Sequence, residues 1–149
     1  MRKPTIYLDT SVISALFDER TPERLALTKE FWKKIPDYQV YISETTEKEM
    51  EAASETLKKK MIQVTKDFKI LPVKEEVENL ANEYIKKGIF PERYKDDALH
   101  VSVATVNRIM YLLSWNFKHM VKVRTRRTVN LVNELQGYPS IELLAPPEL

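Results

Sequence analysis

Ile109-Met110-Tyr111-Leu112-Leu113-Ser114-Trp115-Asn116 is the stretch on which the fold turns. Its first five residues are apolar without alternation. A strand with one wet face would alternate, so an unbroken run of this length fits a strand covered on both faces. Helices must then supply the covering layers, which implies a parallel sheet.

Working outward, the rest of the chain agrees. Thr5-Ile6-Tyr7-Leu8 is a short, partly β-branched run and reads as a first strand. Thr21-Pro22 resembles an N-cap followed by Pro at the first helical position. Leu25, Leu27, Phe31, Trp32 and Ile35 then form a mainly helical stripe that Pro36-Asp37 breaks. Tyr38 to Ile42 reads as strand two, and a charged helical stretch runs from about Ser43 to Lys66 with a break near Ser54. Phe68-Lys69-Ile70-Leu71 reads as strand three. Val77, Leu80, Ala81, Tyr84 and Ile85 recur with helical spacing, and Gly88 ends that helix. A further helix runs from about Pro91 or Tyr94 to Asn107. After the buried strand comes a basic segment, then a helix through Val129, Leu131, Val132 and Leu135. Ile141-Glu142-Leu143-Leu144 reads as an edge strand, stopped by Pro146-Pro147. Strands alternating with helices give right-handed βαβ units, hence an α/β fold with helices on a parallel sheet. The 149 residues and 17.5 kDa fit one domain over residues 1–149, and 43% apolar content is enough for its core.

Composition excludes whole classes of chemistry. No Cys is present, so thiolate metal sites, disulfides and a Cys nucleophile are ruled out. His100 and His119 are the only imidazoles and no HExxH occurs, which argues against a zinc protease. Gly88 and Gly137 are the only glycines, so neither a Walker A loop nor a GxGxxG fingerprint exists. No apolar run is long enough to span a membrane. The start, Met1-Arg2-Lys3-Pro4, leads quickly to Asp9 and does not read as a signal peptide, so an intracellular, cytoplasmic protein is expected. A net charge of +2 is too small to argue for nucleic acid by itself.

In parallel sheets ligands bind beyond the carboxyl ends of the strands. There the sequence places Asp9-Thr10-Ser11 after strand one, Ser43 with Glu49 after strand two, and Ser114-Trp115-Asn116 after the buried strand. Asp96-Asp97 opens a helix whose following residues are mostly apolar. Each residue also has a plain structural reading. Asp9 could cap the next helix. Glu49 could complete a capping box with Thr46. Asp96 or Asp97 could serve the helix dipole, and Asn116 could be a turn residue. His100, three residues after Asp97, reads first as a partly buried polar residue and second as a partner of the site. His119 reads as surface and Trp115 as packing. Taken together, three acids and an amide from four segments form a pattern. Clustered carboxylates repel and call in a cation. Without soft ligands that cation is Mg²⁺ or Mn²⁺, whose usual work is phosphoryl chemistry. Two other carboxylate-based phosphate enzymes fit less well. A haloacid-dehalogenase-type phosphatase needs an Asp two residues after its nucleophile, where Ser11 stands. A receiver domain needs an Asp at the end of strand three, where Leu71-Pro72-Val73 stands.

Tyr7-Leu8-Asp9-Thr10-Ser11-Val12 resembles the opening of PIN domains. Ser43 with Glu49, Asp97-Ala98-Leu99-His100 with Val101 to Ala104, and Leu112-Leu113-Ser114-Trp115-Asn116-Phe117 resemble their second, third and fourth motifs in order and spacing. The resemblance implies a three-layer α/β/α fold with about five parallel strands and Mg²⁺- or Mn²⁺-dependent cleavage of RNA. Many stand-alone PIN proteins of this size are VapC-type toxins paired with an antitoxin, and a homodimer is suggested. By position, Asp9, Glu49 and Asp97 would be metal ligands and Asn116 would take the fourth place. Thr10, Ser11, Asp96 and His100 are candidates for the surrounding shell. Asn116 replaces the usual acid and Ser114 the usual Thr, which leaves three negative charges rather than four. The competing reading is a PIN-like module that has lost catalysis and only binds RNA or a protein. Lys118, Lys122, Arg124, Arg126 and Arg127 lie between Phe117 and Asn133 with no acid among them. They read either as an RNA track beside the cleft or as a solvated helix face.

Overall fold

The computed structural model describes residues 2–149. Five strands form one parallel sheet: β1 (Thr5–Leu8), β2 (Gln39–Ser43), β3 (Lys69–Leu71), β4 (Tyr111–Leu113) and β5 (Glu142–Leu144). Their spatial order is β3-β2-β1-β4-β5. Seven α-helices flank the sheet: α1 (Thr10–Ala15), α2 (Pro22–Trp32), α3 (Glu44–Glu51), α4 (Glu55–Thr65), α5 (Glu75–Lys86), α6 (Lys95–Val106) and α7 (Val123–Leu135). The fold is a three-layer α/β/α sandwich of the kind the sequence implies.

β1 is the middle strand. Its Tyr7 stands opposite Tyr41 of β2 on one side and Leu112 of β4 on the other. Ile6, Tyr7 and Leu8 are fully buried, as are Leu112 and Leu113, which is why both runs lack alternation. The chain winds one way from β1 to β2 and β3, and the other way to β4 and β5. The carboxyl ends of β1 and β4 therefore flank the point where the winding reverses, where α/β sheets open a cleft.

Several expected boundaries hold. Pro22 opens α2, Ser54 caps α4 through its side chain, and β5 is an edge strand. Gly88 and Gly137, at φ +77° and +83°, close α5 and α7 in the left-handed conformation that glycine adopts without strain. Other expectations need correction. Only Tyr111–Leu113 of the apolar run is paired as strand. The exposed Met110 precedes it, with its N–H donating to Thr5 Oγ1 at 2.9 Å. Leu27, Leu131 and Leu135 face solvent, Leu135 with 71% of its surface exposed. The buried side of α7 is Thr125, Val129, Val132 and Asn133. The two polar members are admitted by hydrogen bonds, Thr125 Oγ1 to His119 O and Asn133 Oδ1 from Tyr84 Oη.

α6 decides how the site is built. Every residue from Ala98 to Thr105 is buried. A helix covered all round over that stretch lies inside the protein, which sets His100, in its second turn, against the sheet ends.

Candidate metal centre

Asp9 follows β1 directly, and its own N–H continues the ladder to Leu113 O at 3.0 Å. It stands at the N-cap position of α1, yet its carboxylate makes no capping bond. Oδ2 instead accepts from Ser114 Oγ at 2.7 Å and Ser11 Oγ at 3.0 Å. The residue is only 5% exposed. A buried carboxylate that leaves the free N–H groups of the helix it precedes uncapped is oriented for something else. Ser11 also accepts the Trp115 N–H at 3.0 Å, so one serine ties both strand ends to this acid.

Glu49 is free of capping duty too. The box at the start of α3 is made by Ser43 and Thr46, with Thr46 Oγ1 accepting the Ser43 N–H at 3.1 Å. Glu49 Oε1 accepts from Thr10 Oγ1 at 2.7 Å and lies 2.5 Å from His100 Nε2. Burial would raise its pKa. His100, the Thr10 hydrogen bond and the nearby Lys48 charge outweigh that and hold it below the usual value.

His100 is completely buried at the centre of the cluster. Nε2 lies 3.5 Å from Asp9 Oδ1 as well as near Glu49. Nδ1 meets Tyr7 Oη at 2.6 Å, and that hydroxyl also contacts Ser43 Oγ at 2.7 Å and Thr46 Oγ1 at 3.3 Å. Burial works against a charged ring. Tyr7, the hydrogen bond to Glu49 and the Asp9 and Glu49 charges outweigh it and hold the imidazole well above its ordinary pKa. His100 is thus the positive counterpart of the acids.

Asp97 lies one turn before His100 on α6. Burial, then Asp9, Glu49 and Asp96, push its carboxyl up to about 6 against the pull of His100. Asn116 Nδ2 faces Asp97 Oδ2 at 3.4 Å, while Asn116 Oδ1 accepts the His119 N–H at 2.9 Å. Asn116 therefore serves its turn and meets the acid with one side chain. Asp96 is directed elsewhere, into an ion pair with Lys48 at 3.0 Å.

The structure thus brings Asp9, Glu49 and His100 together, their ligand atoms within 4.8 Å of one another. Asp97 and Asn116 stand beside them, and Thr10 and Ser11 orient the acids. Tyr7, Ser43, Thr46 and Ser114 complete the site; Ser43 and Ser114 lie in the motifs read from sequence, which gives Tyr7 and Thr46 no role in the site. A tyrosine in a strand buried on both sides must find a partner for its hydroxyl, and that signal was available. The basic residues divide. Lys122 and Arg124 line a small cavity with Lys87, Gly88, Ile89, Thr125 and Thr128. Lys118 and Arg127 are exposed. Arg126 pairs with Glu148 at 3.0 Å.

A family model described as the PIN domain matches residues 6–116. No curated protein matches the chain. Solved structures that resemble it include VapBC-1 from nontypeable Haemophilus influenzae, at 14% identity and TM-score 0.62, covering 96% of this chain and 98% of that one. Mycobacterium tuberculosis VapC20, a Sarcin-Ricin loop cleaving toxin, gives 18% identity and TM-score 0.62 over 76% and 92% of the two chains. VapBC2 from Rickettsia felis, bound to a DNA fragment from its promoter, gives 13% identity and TM-score 0.57 over 93% and 96%. At such identities the likeness concerns the fold.

Proposed function

The chain belongs to the PIN domain family, and from that premise we propose that it is a metal-dependent endoribonuclease acting as the toxin of a toxin–antitoxin pair. The observation that carries the reading is the gathering of Asp9, Glu49 and His100 at the sheet's winding reversal, with Asp97 beside them on α6. A carboxyl that burial, and then the neighbouring acids, push up to about 6 belongs to a site that a cation would relieve.

The donor set is carboxylate oxygen and imidazole nitrogen with no thiolate, which fits Mg²⁺ or Mn²⁺. Asp9 and Glu49 would hold the ion, with Asp97 and Asn116 on its flank. When bound, such an ion neutralises charge on a phosphoryl oxygen and lowers the pKa of a bound water. The chain's own residues fix the geometry. Ser11 and Ser114 donate to Asp9 Oδ2, so that carboxylate keeps its Oδ1 toward the cluster. Thr10 and His100 hold Glu49 by the same oxygen. Asn116 Nδ2 steadies Asp97 Oδ2. Lys122 and Arg124, with Lys118 and Arg127, supply positive charge for an RNA backbone.

An antitoxin partner and a homodimer belong to the same reading; support for the antitoxin is the VapBC complexes among the structural neighbours. No described helix is long and apolar enough to cross a membrane, and a cytoplasmic site of action is part of the proposal. The test is cleavage of a labelled RNA with Mn²⁺ or Mg²⁺, with and without EDTA. Metal-dependent cutting supports the enzyme. RNA binding without cutting under every metal condition would instead identify a module that has lost catalysis.

A further inference from the structure

An all-carboxylate centre would take Mg²⁺ and Mn²⁺ alike, so the third partner of Asp9 and Glu49 matters. By motif position that partner is Asp97. In the folded protein the group that closes the triangle is His100, one turn further along the same helix, and Asp97 stands outside the 4.8 Å cluster. His100 Nε2 lies 2.5 Å from Glu49 Oε1 and 3.5 Å from Asp9 Oδ1. Neighbouring ligands on an octahedral ion with bonds of about 2.1 Å sit ~3 Å apart, between those two separations.

The other ring nitrogen has the partner a ligating histidine needs. A metal-bound imidazole gives its remaining N–H to an oxygen, which fixes the ring and its tautomer. Tyr7 Oη stands 2.6 Å from Nδ1 and can pass its own proton to Ser43 Oγ at 2.7 Å. Without an ion, Nε2–H donates to Glu49 Oε1; with Nδ1–H donating to Tyr7, an ion that displaces the Nε2 proton would meet a lone pair already aimed at Asp9 and Glu49. Ser43 and Thr46 are buried and bonded to one another's segment, so the support is rigid.

We propose that His100 Nε2 joins Asp9 and Glu49 as a metal ligand, making a mixed nitrogen–oxygen centre that selects Mn²⁺ over Mg²⁺. This rests on the metal-centre reading above. Mg²⁺ prefers oxygen and keeps its waters, whereas imidazole nitrogen favours transition ions. Tyr7 is the positioning residue for that ligand.

Pulsed EPR of the Mn²⁺-loaded protein tests the bond directly, because imidazole nitrogen modulates the electron spin echo. With only two histidines in the chain, the source can be assigned. The modulation should be present in the wild type, persist in His119→Gln and vanish in His100→Asn. Asn at this position keeps a polar atom toward Tyr7 while removing Nε2. Calorimetric titration should show Mn²⁺ bound at least tenfold more tightly than Mg²⁺, and His100→Asn should reduce that ratio by about tenfold or more. If His100→Asn fails to fold, the wild-type spectrum decides alone. Mn²⁺ bound without nitrogen modulation, or modulation lost in His119→Gln, would overturn the proposal and leave the metal centre standing. No Mn²⁺ binding at all would overturn both.

Discussion

Replacing Asp97 by Asn should stabilise the metal-free protein while disabling it. The Asp97 carboxyl, pushed up to about 6 by burial and then by Asp9, ionises near 3.9 once the chain unfolds. Below about pH 4 both states hold the proton and the group is neutral to stability. As pH rises toward 6 only the folded state still holds it, so stability falls steadily; above about 6 the folded carboxylate bears its full repulsion. Two pKa units correspond to about 3 kcal/mol, and because Asp97 is partly exposed, screening leaves about 1–2 kcal/mol. Asn keeps the shape and removes the charge. In EDTA at pH 7.5 the variant should therefore be more stable by about 1–2 kcal/mol, with the difference closing at pH 4. Urea unfolding followed by the fluorescence of Trp32 and Trp115 measures this. Excess Mn²⁺ should narrow the difference, since binding at a hundredfold over Kd adds about 2.7 kcal/mol and the ion is held less tightly once the flanking Asp97 charge is gone. A variant no more stable than wild type at pH 7.5, or equally stabilised at pH 4, would refute the claim that the acids repel one another in the folded state.

Four further outcomes are expected. Asp9→Asn should lower RNA cleavage by at least about a hundredfold with an unchanged circular dichroism spectrum; undiminished turnover would remove Asp9 from the mechanism. Tyr7→Phe leaves the buried His100 Nδ1 without its partner and takes one hydrogen bond from Ser43 Oγ, and should lower the unfolding free energy by about 1–3 kcal/mol, seen as a shifted urea midpoint at constant slope. Lys122→Ala with Arg124→Ala should weaken RNA binding and flatten the log–log salt slope by about 1.4 for single-stranded RNA. Arg126→Ala, whose guanidinium is already held by Glu148, should leave that slope in place. Asn116→Asp adds a fourth negative charge beside Asp97 and should tighten Mn²⁺ binding by up to about tenfold in calorimetry. Unaltered affinity would reduce Asn116 to its turn-forming bond with His119.

The sheet could be read from the chain because buried strands leave unbroken apolar runs, and the strand ends then located Asp9, Glu49 and Asn116. Side-chain direction could not be read. Asp96 and Asp97 are adjacent, and the roughly 100° helical step sends one toward Lys48 and the other toward the acids. The depth of His100 was also hidden, because α6 is buried along nearly its whole length and offers no polar face against which an inward position stands out. The stripe on α7 misled for the opposite reason. Thr125 and Asn133 satisfy their polar atoms internally and take inward positions, which leaves Leu131 and Leu135 outside. Glu49 was separable from a capping role only once Ser43 was seen to close the box with Thr46.

The central strand pairs with partners from both halves of the chain, β2 beside it early and β4 only late. Asp9 and Glu49 are therefore synthesised long before His100 and Ser114, the groups that hold them in place. A half-made polypeptide carries the acids with Thr10 and Ser11 but without His100 and Ser114, and its first strand waits with one edge unpaired. The acid cluster is thus completed only when the second half of the chain has been made and β4 has joined β1.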